Sequence, residues 1–458
     1  MLKHNMIYND IGSETIWIGI DDTDSITGGC TTHLACTIIK KLIDENYNII
    51  GNPRLVRLNP NIPWKTRGNG AISIQVGMGK GIKTKIGEIG NKGIFCYKKS
   101  VRNYNDSRIK EIVEKSVDEY AKLDDENTNS GFVLLNKQPS FEIYEKTVQE
   151  ITHLKDIIKI LKEAKAFYKG YKNKRGLIGS TASIAWIPKK DKTYELISYR
   201  KKEKWGKKRS VDDDSTKKMD KTYKTTFDNY DYENKHNRLV PNSPCPILYG
   251  IRGENKKDLI NAKSLIKSEE VDNWIIFETN QGTDDHLHKS SINEIQPYQS
   301  VIARGSVSIS PYTIKGGHVI FNIKDSSGNI DCAAYEPTKQ FRNVVRKLVI
   351  GDVVEVYGGD VVEVYGGVRE KPLTINLEKI NVKKIKNQVK KIENPVCPNC
   401  GKHMKSKGVN QGYKCIKCGI KSTKPSFKKV KREISLGFYE VPVCARRHLS
   451  MPLKRFKS

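Results

Sequence analysis

Three carboxylates stand within four positions, Asp21, Asp22 and Asp24, at the end of the apolar run Ile16–Ile20, and Gly28-Gly29-Cys30-Thr31-Thr32 follows. Such a short, β-branched run reads as a buried strand, and Leu34, Ala35, Ile38, Ile39 and Leu42 behind the glycines recur at helical spacing. Strand, loop and helix start, in that order, is where α/β proteins hold ligands. The acids suit a hard cation, which takes one or two carboxylates and shares substrate phosphates. The glycines admit a phosphate close to backbone, and the helix start meets it with free N–H groups. Thr31, at the N-cap position of the expected helix, adds a hydroxyl between metal and phosphate. The stretch is read as a Mg-nucleotide site of a kind other than Walker A, because no Gly-Lys-Ser/Thr occurs in it. A polar turn with a threonine cap uses the same residue types.

Four further groups carry chemistry. Trp64, Lys65 and Arg67 sit in the Pro- and Gly-rich stretch Asn59–Gly70, where stacking and charge suit a nucleotide or RNA. Tyr194–Arg200 alternates, which puts Glu195, Ile197 and Tyr199 on one face. A carboxylate beside an aromatic ring suits a guanidinium ligand, as it does a solvent-facing cross-strand pair. Asp284, Asp285 and His286 occupy a polar loop after the expected strand Trp274–Thr279, fit for metal, nucleotide or plain turn chemistry. Cys397-Pro-Asn-Cys400 and Cys415-Ile-Lys-Cys418, 14 residues apart, are two knuckles of a closed four-thiolate site, so the zinc expected there is structural. Cys444 lies outside that spacing.

The elements that position these groups need several domains, for the chain has 458 residues. Its net charge is +29, with 21 Lys/Arg against 3 Asp/Glu after residue 380, which points to a polyanionic partner. Ten cysteines, four of them in the two knuckles, fit a reducing compartment. No apolar stretch is long enough for a membrane span, and a cytoplasmic location is expected. Helices are expected over Ser107–Ala121 and Thr147–Ala166. Lys201–Arg238, dense in charge, reads as an exposed or partly disordered connection. Five strand patterns follow between 301 and 380, with a helical one near Thr338–Leu348 before the fourth, the order of an OB-fold. Within the fourth, Gly351–Gly358 is repeated residue for residue as Gly359–Gly366. Eight is even, so a strand could slip by one copy without changing faces. One copy is expected in the barrel and the other in a protruding arm or loop. The tail Arg446-Arg447-His448 to Arg455 reads as a basic RNA surface.

Gly19-Ile-Asp-Asp-Thr-Asp-Ser25 with Gly29-Cys-Thr-Thr32, Arg67-Gly-Asn-Gly70, Tyr194–Arg200, Gly282-Thr-Asp284, the OB-fold, the knuckles and Ala445-Arg-Arg-His-Leu449 occur in one order. In that set the chain resembles the archaeal agmatinylcytidine synthetase family, which modifies the anticodon of a minor isoleucine tRNA. The resemblance implies a multidomain α/β and α+β protein: a kinase-like catalytic domain (1–128), a ferredoxin-like α+β domain with a basic connection (129–240), an α/β segment returning to the catalytic region (241–297), an OB-fold (298–385), and a zinc ribbon with its tail (386–458). It implies ATP with magnesium, structural zinc, agmatine and a CAU-anticodon isoleucine tRNA, with no membrane or protein partner. By the same resemblance Asp21, Asp22, Asp24 and Thr31 are catalytic, Thr31 being the threonine that becomes phosphorylated. Gly28, Gly29, Thr32, Lys65 and Arg67 face the nucleotide; Glu195, Tyr199, Asp284 and Asp285 face the other substrates; Cys397, Cys400, Cys415 and Cys418 hold zinc. Without the resemblance, an OB-fold and ribbon with a basic tail read as a non-catalytic RNA binder, and the acidic loop allows a phosphotransferase acting on another RNA.

Overall fold

The computed structural model describes residues 15–101, 106–360, 373–409, 411–424 and 426–456. Its first half runs β1 (Thr15–Asp21), α1 (Thr31–Asp44), β2 (Asn48–Ile50), β3 (Arg54–Arg57), β4 (Gly70–Ile89), β5 (Lys92–Val101), α2 (Asp106–Tyr120), β6 (Gly131–Leu135), α3 (Phe141–Gln149), α4 (Leu154–Glu163), β7 (Phe167–Gly170) and α5 (Gly176–Ala185). Then come β8 (Thr193–Arg200), α6 (Asp213–Thr222), β9 (Thr226–Phe227), β10 (Tyr230–Asp231), β11 (His236–Asn237), β12 (Ile247–Gly253), α7 (Lys256–Leu265) and β13 (Val271–Thr279).

β1 is the apolar run expected, and it is buried because both faces of its sheet are covered. Ile18 and Ile20 pack with Leu34, Ile38, Ile39 and Leu42 of α1 and with Ile109, Val113 and Val117 of α2. Trp17, on the other face, joins Val133, Ile157, Leu161, Leu177 and Ile184. α5 presses on the strands so closely that a Cβ at Gly19 would stand 2.2 Å from the Ser180 carbonyl oxygen, and one at Gly131 2.4 Å from the Leu177 nitrogen. The sheet order is β7-β6-β1-β4-β3-β13-β8-β12-β9, with β2 and β5 joined through β4. One sheet therefore spans the 128/129 boundary expected from sequence, since β6 pairs with β1, and 241–297 supplies β12 and β13 to it.

Two expectations are corrected here. Thr147–Ala166 is two helices, α3 and α4, separated at Glu150–His153. Val148 before the break and Ile157 and Leu161 after it are all buried, but in two separate clusters, so the apolar spacing in sequence did not show the break. Lys201–Arg238 is ordered, not a disordered connection: it holds α6 and β9 to β11. Lys202, Lys204, Lys207 and Lys208 stay exposed, but Arg209 and the adjoining Arg200 use their charge internally. Arg209 donates to the carbonyls of Ile247, Pro241, Ser243 and Cys245, and buried Arg200 makes a two-point ion pair with Glu269.

The second half opens with β14 (Leu287–Lys289) and continues with β15 (Ser300–Thr313), β16 (Val319–Lys324), β17 (Asn329–Ala334), α8 (Phe341–Arg346), β18 (Val353–Asp360) and β19 (Thr374–Lys384). β15 pairs with β16 and β18, β16 with β17, β17 with β19, and β19 with β18, which closes a five-strand barrel with a helix before its fourth strand. This is the OB-fold read from the sequence. Gly351–Gly358 of the tandem repeat pairs in the barrel; all of the second copy beyond Asp360 lies outside the described residues.

Candidate functional site

β1 ends at Asp21, and the chain turns sharply: Asp22 has φ +54° and Gly29 φ +72°. Such backbone tolerates glycine and, less well, aspartate. Ser25 and Gly28 close the turn by a backbone hydrogen bond of 2.9 Å. Asp22 is held on both carboxylate oxygens, by Thr66 Oγ1 at 2.8 Å and the Asn129 N–H at 2.9 Å. Asp24 accepts from Arg67 Nε at 2.6 Å. The hydroxyls of Ser130 and Thr128 donate to the backbone carbonyls of Asp22 and Asp24, each at 2.7 Å. Asp21 packs on α5, where any side chain at Gly179 would overlap its carboxylate.

Burial, and then the neighbouring Asp22 charge, push the Asp21 carboxyl well above its usual range; burial also pushes Asp22 up. Arg175 faces both acids, and its guanidinium lies 4.2 Å from the Trp64 ring centre.

These residues line a cavity of about 320 Å³. Two helix starts open on it, α1 through Thr31 and Thr32, α5 through Gly176, Ile178 and Gly179. α1 offers free backbone N–H groups and a positive dipole end to an anion; α5 offers only its dipole, because the Gly176, Leu177 and Ile178 N–H groups already donate to the Asn129, Lys174 and Arg175 carbonyls. Arg57, Glu195, Arg238, Arg252 and His448 also line the cavity.

The N-cap expectation for Thr31 is corrected. Cys30 is the N-cap, with extended backbone, and Thr31 is the first helical residue. Its hydroxyl takes a hydrogen bond from Thr23 Oγ1 at 3.1 Å and is not consumed in capping.

Four cysteine sulfurs, from Cys397, Cys400, Cys415 and Cys418, lie within 4.8 Å of one another. The Cys418 N–H points at Cys415 Sγ from 3.4 Å and pulls that thiol down to about 7. A closed set of four soft ligands with a readily formed thiolate fits structural zinc.

Family models match almost the whole length: the TiaS TCKD domain over residues 17–173, the TiaS FLD domain over 174–286, an OB-fold nucleic acid binding domain over 301–383, and the TiaS C-terminal zinc ribbon domain over 394–434. The 2-agmatinylcytidine synthetase TiaS of Methanocaldococcus jannaschii, an enzyme of the second isoleucine tRNA, is 42% identical over 450 residues, 96% of this chain and 98% of that protein. The chain belongs to the TiaS family. The Archaeoglobus fulgidus TiaS is 41% identical over 445 residues, 96% of this chain and 97% of that one. Among solved structures, a complex of TiaS with the second isoleucine tRNA and ATP superposes with TM-score 0.82 at 39% identity. A complex of TiaS with the same tRNA, AMPCPP and agmatine superposes with TM-score 0.79 at 37%. Both comparisons cover 97% of this chain and 98% of the other.

The residues singled out from the sequence divide into two groups in this TiaS fold. Asp21, Asp22, Asp24, Thr31, Thr32, Lys65, Arg67 and Glu195 line the cavity. Burial lowers the Lys65 ammonium to about 8. Gly28 and Gly29 shape the turn behind Thr31 without lining the cavity; the Gly29 carbonyl accepts from Arg67 at 2.7 Å. Tyr199 is fully buried, its ring edge-on to His33 at 5.3 Å, one step behind cavity-lining Ile197. Glu195 is met by Arg252 at 3.3 Å, Arg57 at 3.9 Å and the Gln281 amide, so its charge is already matched. Asp284 and Asp285 are off the cavity. Asp284 receives Lys379 Nζ of the barrel at 2.7 Å, and Asp285 accepts from Tyr144 Oη, also at 2.7 Å. They clamp the loop after β13 because both oxygens of one and the buried position of the other are filled by protein donors.

The tail is docked on the fold. Arg446 pairs with Asp228 and Glu440, Arg455 with Asp191 and Glu254. Sequence reasoning did not single out Arg57, Arg238, Arg252, Gln281 or Arg175, which come from five separate segments. Among the described residues no helix is long and apolar enough to cross a membrane.

Proposed function

We propose that this chain joins agmatine to C2 of the wobble cytidine in a CAU-anticodon isoleucine tRNA at the expense of ATP, so that the modified base pairs with adenine. The observation that carries the reading is the one cavity lined together by three half-buried carboxylates, the Thr31 hydroxyl held by Thr23, two helix starts and several arginines.

The chemistry follows from what the base lacks. A pyrimidine carbonyl oxygen is a poor leaving group, and a phosphate is a good one. Phosphoryl transfer from ATP to the 2-oxo group therefore precedes displacement by the amine. The helix starts and Arg175 stabilise charge on the transferred group. Thr31 holds its hydroxyl at the head of α1 as the phosphoryl acceptor implied by family likeness, with Thr23 orienting it. Asp21, Asp22 and Asp24 fit magnesium, because three acids crowd a half-buried place, opposed by Arg67 and Arg175 and, for Asp24, by Arg57. Bound there, magnesium neutralises the phosphate oxygens. Arg67 fixes Asp24, and Lys65 and Thr32 stand at the nucleotide's rim.

The target base must leave its stack to enter the cavity. The OB-fold and zinc ribbon hold the tRNA at a distance, as basic β-rich modules do. A cytoplasmic location accords with ten cysteines, four of them gathered as one metal site. Replacing Asp22→Ala tests the site: ATP turnover is expected to vanish while tRNA affinity stays within about twofold. Turnover that survives would remove the acidic loop from the chemistry.

A further inference from the structure

We propose that Nε2 of His448 accepts the proton from the primary ammonium of agmatine; this rests on the agmatine-conjugating reading above. His448 lies beyond the zinc ribbon in sequence, yet its segment returns to the cavity. The His448 carbonyl accepts from Gly282 N at 2.8 Å, and that of Leu449 from Asp284 N at 2.9 Å. The ring is thus carried on a backbone clip against the end of β13.

The tautomer follows from what surrounds it. Glu195 only accepts hydrogen bonds, so the Gln281 atom facing it is the amide nitrogen. That turns Gln281 Oε1 towards His448 Nδ1, 3.0 Å away. An oxygen acceptor there requires hydrogen on Nδ1, which leaves the lone pair on Nε2. Among the described residues Nε2 has no hydrogen-bond partner. It faces Gly68, where a Cβ would stand 3.5 Å from it. Gly68 adjoins Arg67, which is bound to Asp24. An unengaged acceptor therefore opens on the cavity one residue away from the partner of the acidic loop.

The charged groups facing the ring are Arg57 of β3, Arg238, Arg252 of β12 and, behind Gln281, Glu195 of β8. Its chain neighbours turn away, Arg446 to Asp228 and Glu440, Arg447 to Asn61 and Glu378. Burial and then the three arginines keep the imidazole neutral, well below its ordinary pKa. Anionic phosphates bound in the cavity would offset those arginines and so raise the basicity of the ring.

An alkylamine is an ammonium at neutral pH and has no lone pair to attack with. One N–H proton passes to Nε2. The freed pair forms the N–C2 bond, the C2–O bond breaks, and its electrons leave with the phosphate, which takes the second N–H proton as hydrogen phosphate.

The test uses full-length His448→Asn, which keeps an amide at the Nδ1 place, and His448→Gln, which puts a non-basic amide at the Nε2 place. Two quantities are read with CAU-anticodon isoleucine tRNA: single-turnover ATP consumption without agmatine, and labelled agmatine incorporation from pH 6 to pH 9. In both variants incorporation is expected to fall at least about tenfold further than ATP consumption. Incorporation at pH 7 is expected to fall about 10²- to 10⁴-fold, with the deficit shrinking about tenfold per pH unit as free amine accumulates. Incorporation within threefold of the wild type at pH 7 would overturn the proposal. So would equal loss of both quantities in both variants, which would make His448 a cavity wall. A wild type that consumes no ATP would instead sink the underlying reading.

Discussion

Arg67 Nε stands 2.6 Å from Asp24 Oδ2, and the same guanidinium reaches the Gly29 carbonyl at 2.7 Å. One side chain of the Asn59–Gly70 loop thereby fixes both the third carboxylate and the turn that aims Thr31. Arg67→Ala is expected to lower ATP consumption at least about tenfold, since misplacing such groups by an ångström costs that and more. Thermal stability should change little, the pair being on the cavity rim. Steady-state ATP kinetics beside a melting curve check this; unchanged kinetics would separate Arg67 from the site.

Lys379 of the barrel is completely buried, and its ammonium meets both oxygens of Asp284, 2.7 and 2.8 Å away, as well as Ser450 Oγ and the Met451 carbonyl. Three parts of the chain converge on that one charge. Lys379→Met strands Asp284 and is expected to destabilise the protein by about 3–5 kcal/mol, read from urea denaturation. A loss below 1 kcal/mol would mean that the clamp adds little.

Asp285 makes stability depend on pH. Burial raises its carboxyl to about 6, partly offset by Tyr144, whereas an unfolded chain titrates near about 3.9. The folded state thus holds a proton that the unfolded state has lost. The contribution is fully present below about pH 3.9 and is lost as pH rises through about 6, by about 2–3 kcal/mol. Asp285→Asn keeps an acceptor for Tyr144 and removes the titration. Its unfolding midpoint should exceed that of the wild type above pH 6, and the gap should close towards pH 4. A constant gap across that range would contradict this.

What the sequence disclosed is what local patterns encode. The Ile16–Ile20 strand, the stripe of α1, the five barrel strands and the cysteine knuckles each lie within a short window, and all stand in the structure. The break between α3 and α4 was hidden because apolar residues recur on both sides of it, although Val148 packs in one cluster and Ile157 and Leu161 in another. The order of Lys201–Arg238 was hidden because Arg200 and Arg209 spend their charge on Glu269 and on backbone carbonyls, which composition does not reveal. Arg57, Arg252, Gln281 and His448 meet only because β3, β13, β8 and β12 are neighbours in one sheet and the tail returns to it. Spacing along the chain carries no trace of that convergence.

Zinc should matter to one part of the molecule. Chelation is expected to strip hydrogen-exchange protection from residues 394–434 while leaving the β1 region protected and ATP binding unchanged, because the four sulfurs and Met404 and Tyr413 form a core of their own. Incorporation of agmatine into tRNA should fall at the same time. Loss of protection throughout the chain would contradict an independent ribbon.

The most direct measurement gives the purified protein ATP, labelled agmatine and isoleucine tRNA with a CAU anticodon, and follows both nucleotide and label. The predicted result is ATP consumption together with agmatine covalently held at the wobble position, abolished when that cytidine is replaced. ATP use with no agmatine in the tRNA, or tight tRNA binding with no nucleotide turnover, would contradict it.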